Sequence, residues 1–357
     1  MAILWMNLII VYMFSLLSRV VAKPAALGPS PAFTKPNKFL TFIVILTFVL
    51  ISGLRSNIGD TFFYMHAYIN GSFTWEYVLA NKDIGFGIMQ MVMKRFTNDP
   101  QLMVFISALI TNLLIVCVLY KYSRLFELSV FVYITSGLYI ISMNGIRQFL
   151  ASAIVFAATK YLFEGNWVKY FLVVFVAATI HQSAFILIPI YFIVRRKAWT
   201  TATFFLICSA LLLVLGYDQF SGIVFSAIQD TQYGDYQNFN AGGANILRVV
   251  VQAAPLVLAF LGRKKLSVLF PHIDYVVNMS LLGTIMMVVA TQNWIFARFI
   301  IYFGMYNIIL IPWIVKAFSK KFQVLIYFVI CVLYLVYFFY ENSVILRLVY
   351  RSDFIKF

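Results

Sequence analysis

The chain has 357 residues, of which 63% are hydrophobic and only 11% are charged, and its mean hydropathy is +0.92. This composition excludes an ordinary soluble enzyme and indicates a helical protein that crosses a membrane many times. The formal net charge of +15 would also suit a nucleic-acid-binding protein, but the Lys and Arg residues form short clusters between apolar runs. Clusters of that kind orient a chain in a membrane, so we expect no nucleic-acid partner.

Apolar runs recur along the whole chain and predict an all-α polytopic integral membrane protein. Counting them gives about 11–12 transmembrane helices in a single domain, residues 1–357. Segments such as 39–54 and 322–340 are apolar on every face, whereas the strands of a membrane barrel would alternate in polarity. Residues 2–17 lack a preceding basic region and an A-x-A-like site, so we interpret them as a retained span.

The polar segments between the runs give a topology under the positive-inside rule. The basic, proline-rich loop at residues 23–38 belongs in the cytoplasm. Residues 55–99 form an external amphipathic segment, in which 60–69 and 84–96 have the pattern of helices that lie at the membrane interface. A long external loop, residues 217–245, is rich in Tyr, Asp and Gly and fits a glycan-binding surface as well as an interfacial belt.

Residues 171–194 decide the topology of everything after them, because they are long enough for one complete crossing. One crossing would put the basic clusters at 195–197, 263–265 and 316–321 outside the cell. A helical hairpin that is broken near His181 and Ser183 returns these clusters to the cytoplasm and leaves most acidic residues outside. We therefore predict a broken hairpin whose irregular backbone faces a hydrated, protein-lined cavity.

With this topology, cations collect at the outer ends of the spans: Arg55, Arg147, His181, Arg248 and Arg298. For any one of them, snorkelling to headgroups or capping of a helix would be explanation enough. Five at one depth indicate that an anion binds there. Arg147 and Arg298 are the best candidates, because each opens an inward-running span and guanidinium donors together with helix N–H groups suit a pyrophosphate. Their polar neighbours are Asn144, Gln148, Gln292 and Asn293.

Two residues could handle the proton of a sugar hydroxyl. His181 could simply bind a carbonyl in the helix break, but an imidazole there could also transfer a proton or contact phosphate. Asp60 is the carboxylate nearest these motifs on the outer side, and we expect it to pair with Arg55 or to act as a second base. No DxD-like pair follows on that side, and the three Cys lie in apolar runs, so we expect neither a metal nor another cofactor.

Six short motifs, which include most of these residues, follow one another between roughly residues 50 and 312. They are Arg55-Ser-Asn-Ile-Gly59-Asp60-Thr61-Phe-Phe-Tyr64, Gly85-Phe86, Asn144-Gly-Ile-Arg147-Gln148-Phe-Leu-Ala151, Ala178-Thr-Ile-His181-Gln182-Ser183-Ala184, Pro189-Ile-Tyr191 and Arg298-Phe-Ile-Ile-Tyr302-Phe303. Together they resemble the EpsG family of bacterial exopolysaccharide proteins, a Wzy-like polymerase group. That family commonly has an acidic residue, often Glu, shortly before the Gly-Phe pair, and here Asp83 stands at that place.

The resemblance implies a glycosyltransferase that moves a growing glycan from polyprenyl pyrophosphate to the terminal sugar of another lipid-linked repeat unit. The reaction would occur at the outer face of the bacterial cytoplasmic membrane, with a flippase and a chain-length regulator as assembly partners. We expect His181, Arg147, Arg298 and Asp60 to be catalytic. Substrate binding is expected of Arg55, Tyr64, Asn144, Gln148, Gln182, Arg248 and Tyr302.

Three other functions stay open at this point. A flippase of lipid-linked oligosaccharides would also have cations in a cavity, although charge would be expected deep in both halves. A membrane O-acyltransferase could use His181, but it gives no reason for several arginines at one depth. A glycan ligase uses nearly the same donor chemistry, and the sequence does not separate it from a polymerase.

Overall fold

The computed structural model describes residues 1–24, 34–217 and 242–355, together with residues 219, 221, 222 and 226. It is built almost wholly of helices, which confirms the all-α polytopic membrane architecture. The one sheet among these residues is a two-residue antiparallel ladder between Lys23–Pro24 and Thr34–Lys35. Most of the predicted external loop 217–245 lies outside the described residues, as does the middle of the proline-rich loop, residues 25–33.

The α-helices follow one another with short connections. In chain order they are α1 (Ala2–Val20), α2 (Lys38–Gly53), α3 (Thr61–Asn70), α4 (Trp75–Ala80), α5 (Ile84–Lys94), α6 (Gln101–Tyr122), α7 (Phe126–Thr135), α8 (Leu138–Asn144), α9 (Ile146–Ala157), α10 (Thr159–Glu164), α11 (Trp167–Ile180), α12 (Leu187–Val194), α13 (Thr201–Leu215), α14 (Ile246–Leu261), α15 (Arg263–Leu269), α16 (Ile273–Val289), α17 (Ile300–Phe303), α18 (Met305–Ala317) and α19 (Lys320–Phe339). Two 3-10 turns, Gln182–Ile186 and Trp294–Phe299, and a π-helical turn, Tyr340–Ile345, complete the described elements.

Within the described residues, three helices are long and apolar enough to cross a bilayer: α1, α6 and α19 with its π turn. Each of three bent pairs can add a span, which gives up to six. The bends are 54° between α7 and α8, 84° between α14 and α15, and 58° between Trp294–Phe303 and α18. The remaining apolar helices have 10–17 residues, shorter than a complete crossing. The count of about 11–12 crossings therefore stays a prediction.

The centre of the bundle is formed by α7 and α18. Every residue of α7 is buried, as are residues 305–315 of α18, and the Ser129 hydroxyl joins the two helices by donating to the Ile308 carbonyl at 2.7 Å. Peripheral helices such as α13 and α19 instead expose Leu, Phe and Val side chains. In a bilayer such apolar surface is covered by lipid, so the fold is stabilised by packing and by polar contacts between helices.

The predicted hairpin near His181 is confirmed. Helix α11 ends at Ile180, His181 is extended with φ −155°, and the 3-10 turn leads into α12. Ring contacts pair the two limbs: Tyr170 with Tyr191 at 5.0 Å and Phe175 with Phe185 at 5.6 Å between centroids. Since residue numbers rise along one limb as they fall along the other, the chain folds back on itself at His181.

Contacts join the chain ends that the predicted topology puts on one side. On the predicted cytoplasmic side, Arg19 Nε lies 2.7 Å from Glu127 Oε2, and the Lys265 ammonium donates to the Phe318 carbonyl at 3.0 Å. On the predicted outer side, Asn57 donates to the Val349 carbonyl at 2.6 Å. These contacts support the predicted alternation of the segments.

The predicted amphipathic segment 55–99 contains α3 and α5, close to the two helices expected there, and also α4, which was not expected. Tyr68, Phe73, Val78 and Phe86 form a small buried cluster between these helices. Partly buried residues of α6 and α9 pack against it. The cluster therefore fixes the start of α5, where Asp83 stands, against the bundle.

Candidate active site

A chain of three polar side chains lies at the break of the hairpin. His181 Nδ1 is 2.6 Å from the Ser183 hydroxyl, which is 2.8 Å from the hydroxyl of Tyr302. The His181 backbone N–H donates to the Ala177 carbonyl, so the ring is held at the end of α11. The imidazole is 5% exposed. The structure thus brings two predicted site residues together through Ser183, to which the sequence had assigned no separate role.

Arg147 stands in the first turn of α9, directly after the break at Gly145. Its Nη1 atom lies 2.8 Å from Asp83 Oδ2, and its guanidinium is 5.6 Å from the ring centre of Tyr64 and 6.0 Å from that of Phe86. The side chain remains 39% exposed, so it can reach a ligand while these contacts orient it. A planar guanidinium held in this way offers its other donors to phosphate oxygens.

Asp83 bridges Arg147 and the hairpin. Its second oxygen, Oδ1, accepts from the backbone N–H of Gln182 at 3.1 Å, and the residue is 5% exposed. Burial raises the pKa of the Asp83 carboxyl, although the Arg147 guanidinium and the Gln182 amide lower it in part. The sequence pattern alone assigned no role to Asp83. Its position before the Gly-Phe pair was the available signal.

Close backbone packing keeps this bridge short. A Cβ atom at Gly85, two residues after Asp83, would collide with the hydroxyl of Thr179 in the last turn of α11. Only glycine lets α5 lie so near the hairpin. The Gly-Phe pair therefore supplies a close approach at its first residue and an aromatic face for Arg147 at its second.

Gln148 connects the hairpin to the third segment of the site. Its amide Nε2 donates to the Arg298 carbonyl at 3.0 Å and lies 3.4 Å from the Ser183 hydroxyl. The Arg298 guanidinium lies 5.2 Å from the centre of the Trp294 ring. The charges of Arg147 and Arg298 both act on the His181 imidazole. Three of the four predicted catalytic residues therefore share one site.

Asn144 and Asp60 meet at the edge of this site. The Asn144 side-chain oxygen accepts from the Asp60 backbone N–H at 2.8 Å. A Cβ atom at Gly59 would collide with that side chain, and Gly59 has a φ of +54°, so the turn requires glycine there. Asp60 itself is half-buried at the start of α3. The predicted pairing of Asp60 with Arg55 is wrong: no ion pair joins them among the residues that the structure describes.

Arg55 has a different environment from the other predicted cations. It is 2% exposed, and its donors go to Thr61 Oγ1 at 3.0 Å, to the Met143 carbonyl at 2.6 Å and to the Ser52 carbonyl. These bonds explain why it does not pair with Asp60. They join the end of α2 to the end of α8, so the geometry supports a bracing role for Arg55, and substrate binding by it stays a prediction.

Arg248 lies apart from the His181 site. Its Nε atom is 2.9 Å from Glu341 Oε1, and Nη2 contacts the same oxygen. The pair lines a cavity of about 350 Å³, which Asn144 also lines but Arg147 and His181 do not. Within the described residues, no group of three or more His, Cys, Asp or Glu side chains comes together as a metal site would require. Substrate binding by Arg248 stays a prediction, and it concerns this cavity and not the His181 site.

Residues 38–352 match the family model of the EpsG family. The chain belongs to the EpsG family. Membership supports, in broad terms, a Wzy-like polysaccharide polymerase, and thus a glycosyltransferase-like enzyme embedded in a membrane by several spans. The comparison with curated proteins and the comparison with solved structures gave no match. In this EpsG family protein, the matched range includes the whole site, from Tyr64 to Tyr302.

Proposed function

We propose that the protein transfers a growing glycan from polyprenyl pyrophosphate to the terminal sugar of a second lipid-linked repeat unit, at the outer face of the bacterial cytoplasmic membrane. One observation carries the proposal: Arg147, Arg298 and His181 come from three distant segments and meet at the break of a hairpin. A broken helix at membrane depth is tolerated where it lines a polar cavity, which is the setting that a lipid-linked sugar needs.

The donor pyrophosphate lies against Arg147 and Arg298 in this scheme. As the bond between the anomeric carbon and the phosphate oxygen breaks, its electron pair goes to the leaving polyprenyl pyrophosphate. Two guanidinium groups that are already oriented, one by Asp83 and Tyr64 and one by Trp294, stabilise that developing charge. The backbone N–H groups in the first turn of α9 form the positive end of that helix dipole, and they also stabilise the negative charge on the leaving group.

The acceptor hydroxyl attacks the anomeric carbon and gives up its proton. When Nδ1–H of His181 donates to Ser183, the Nε2 atom of the ring is the one that accepts that proton. Ser183 and Tyr302 hold the ring in this orientation. Asp60 is the second candidate base, since it stands at the edge of the site beside Asn144. The scheme uses no metal and no nucleotide sugar.

The outer-face location rests on the charge distribution, because the basic clusters after residue 194 all return to the cytoplasm when 171–194 is a hairpin. The lipid-linked repeat unit must then be carried across the membrane before it is polymerised. A flippase that delivers it and a regulator of chain length are therefore the assembly partners that we propose.

Reconstitution tests the proposal. Purified protein in liposomes with the lipid-linked repeat unit alone should produce a ladder of longer glycans. Arg147→Ala and His181→Ala should leave single repeat units, with each change costing about 10²–10³-fold in rate. Arg263→Ala and His66→Ala, exposed residues outside the site, are the matched controls and should elongate normally. Elongation by both site variants at the wild-type rate would contradict the mechanism. A requirement for an acyl donor or for a different acceptor would indicate an acyltransferase or a ligase.

A further inference from the structure

A cavity lies beside the residues of the candidate active site. Its volume is about 350 Å³, within the range of about 300–1,000 Å³ that is usual for small-molecule sites. It is enclosed by α7, α8, α14, α18 and the π turn after α19, and its polar lining includes Ser136, Arg248, Gln252, Asn307 and Glu341. A π turn inside a long helix often marks a functional site.

Four buried polar atoms of this lining have no hydrogen-bond partner among the described residues: Ser136 Oγ, Gln252 Nε2, Asn307 Oδ1 and Glu341 Oε2. Asn307 and Glu341 are each only 4% exposed. Leaving such atoms unpaired lowers stability, so folded proteins nearly always give them partners. The set contains acceptors, a donor and a hydroxyl that can do both, which is the complement of a sugar ring with several hydroxyl groups.

The charge of the cavity argues for a neutral ligand. Arg248 contacts Glu341 Oε1 with two of its nitrogen atoms, so the guanidinium charge is balanced inside the lining. The second carboxylate oxygen is left to accept from a hydroxyl and would repel a phosphate. A pyrophosphate is thus better placed at Arg147 and Arg298 than here.

The cavity and the active site share their wall. Asn144 lines the cavity, while Arg147 and Gln148, directly after it, belong to the active site. The same alternation occurs in the second wall segment, where Ala297 and Ile300 line the cavity, whereas the Arg298 carbonyl and the Tyr302 hydroxyl are bonded to active-site residues. Two substrates could therefore bind side by side.

We propose that this cavity binds a sugar of the acceptor glycan, through hydroxyl groups that pair with Asn307, Gln252 and Glu341. The proposal rests on the proposed polymerase function, because a polymerase needs an acceptor site next to its donor site. Asn144 lines the cavity, and its side chain also contacts the Asp60 amide at the edge of the active site. An acceptor that extends from the cavity to the anomeric carbon of the donor would therefore pass Asn144.

Kinetics with separate donor and acceptor test this site. Lipid-linked polymer labelled with radioactive sugar serves as the donor, and unlabelled lipid-linked repeat unit is varied as the acceptor. Asn307→Leu and Gln252→Leu should each raise the KM for the repeat unit about tenfold, the effect of one lost hydrogen bond, and leave the KM for the donor unchanged. Ile309→Val, at a buried position of the same helix as Asn307 that does not line the cavity, is the matched control and should change neither value.

Folding is checked on each variant by its thermal unfolding midpoint. Asn307 loses only one long bond, Nδ2 to the Gln252 carbonyl at 3.3 Å, so its replacement by Leu should fold. An unchanged acceptor KM in both folded variants overturns the proposal, and so does an equal rise in donor KM. If wild-type protein makes no polymer, the proposed function fails instead. Binding in the cavity is then measured by the rise in the unfolding midpoint that the repeat unit causes. Asn307→Leu should reduce this rise at the same ligand concentration, and its absence in wild type overturns the site.

Discussion

Asp83 and Arg147 form the ion pair on which the geometry of the site depends, with Nη1 2.8 Å from Oδ2. The other oxygen of the same carboxylate accepts from the Gln182 amide at the hairpin break. One side chain of the predicted external segment therefore sets the positions of the arginine and of the turn that carries His181. Because Asp83 contacts both Arg147 and the hairpin, the Arg147 guanidinium is already oriented before the substrate binds.

Asp83→Asn should lower the rate of elongation by about 10- to 100-fold, because the amide cannot balance the Arg147 charge. Asp83→Glu keeps the carboxylate and should retain much of the activity. Asp99→Asn, an exposed carboxylate of the same segment, is the control. Initial rates in liposomes measure the effect. Equal rates for Asp83→Asn and the control would show that the pair is dispensable.

The same residue predicts a pH dependence. Burial raises the pKa of the Asp83 carboxyl above its ordinary value, so it takes up a proton at a higher pH than a surface Asp. As pH falls through this raised pKa, the ion pair with Arg147 is lost and the rate should fall. In Asp83→Asn the pair is absent at every pH, so this acidic decline should disappear from the rate profile. An unchanged decline would assign it to another group.

Ser183 and Tyr302 should act by orienting the imidazole. Ser183→Ala removes the 2.6 Å contact to Nδ1 and should lower the turnover number about tenfold with little change in KM. Tyr302→Phe should have a smaller effect, because it is one contact further away. Tyr170→Phe is the matched control, since the buried Tyr170 hydroxyl has no partner among the described residues. A rise in KM alone would contradict a positioning role.

Gly85→Ala should push α5 away from the hairpin and lower both activity and stability. Overpacking of this kind costs about 1–3 kcal/mol. Thr179→Ala removes the hydroxyl that the new methyl group would strike, so the double variant should recover part of the loss. Gly222→Ala, where a Cβ meets open space, is the control. Rates and unfolding midpoints of the wild type, the two single variants and the double variant form the cycle, and simple additivity would disprove the contact.

Arg55→Ala should affect folding more than substrate affinity. It removes three bonds to a buried site, and the loss of unfolding free energy should be about 1–3 kcal/mol. Arg351→Ala, an exposed arginine at the same predicted side, should be neutral. Thermal midpoints and the KM for the lipid-linked donor separate the two roles. A raised KM at an unchanged unfolding midpoint would show that Arg55 binds the substrate.

Cysteine labelling tests the orientation of the hairpin. In a background with Cys117, Cys208 and Cys331 replaced by Ala, Gln292→Cys should react with an impermeant maleimide in intact cells. Lys197→Cys should react only after permeabilisation, because the predicted topology puts it in the cytoplasm. Both positions are exposed in the structure. Labelling of Lys197→Cys from outside would reverse the orientation of every later segment.

The architecture was predictable where hydropathy and charge act over many residues. The hairpin at His181 followed from the positions of the basic clusters, since a single crossing would have exported all of them. The bends were not predictable in the same way. Gly137, with a φ of +86°, separates α7 from α8, but an isolated glycine in an apolar run does not reveal whether the helix breaks there.

The site was predictable in residue type and less so in contacts. Arg147, His181 and Arg298 could be chosen because charge in an apolar setting is costly and therefore informative. The sequence did not reveal that Asp83 holds Arg147 or that Glu341 holds Arg248, because these partners are 64 and 93 positions apart. Arg55 was grouped with the other cations because its burial depends on tertiary packing, which the sequence alone does not specify.

Two glycine contacts, Gly59 against Asn144 and Gly85 against Thr179, pack residues 55–99 closely against the rest of the molecule. A chimera that exchanges this segment between relatives would therefore also have to exchange Asn144 and Thr179, the residues that face the two glycines. Efforts to re-engineer which glycan is polymerised should therefore treat the segment and its two facing side chains as one exchangeable cassette.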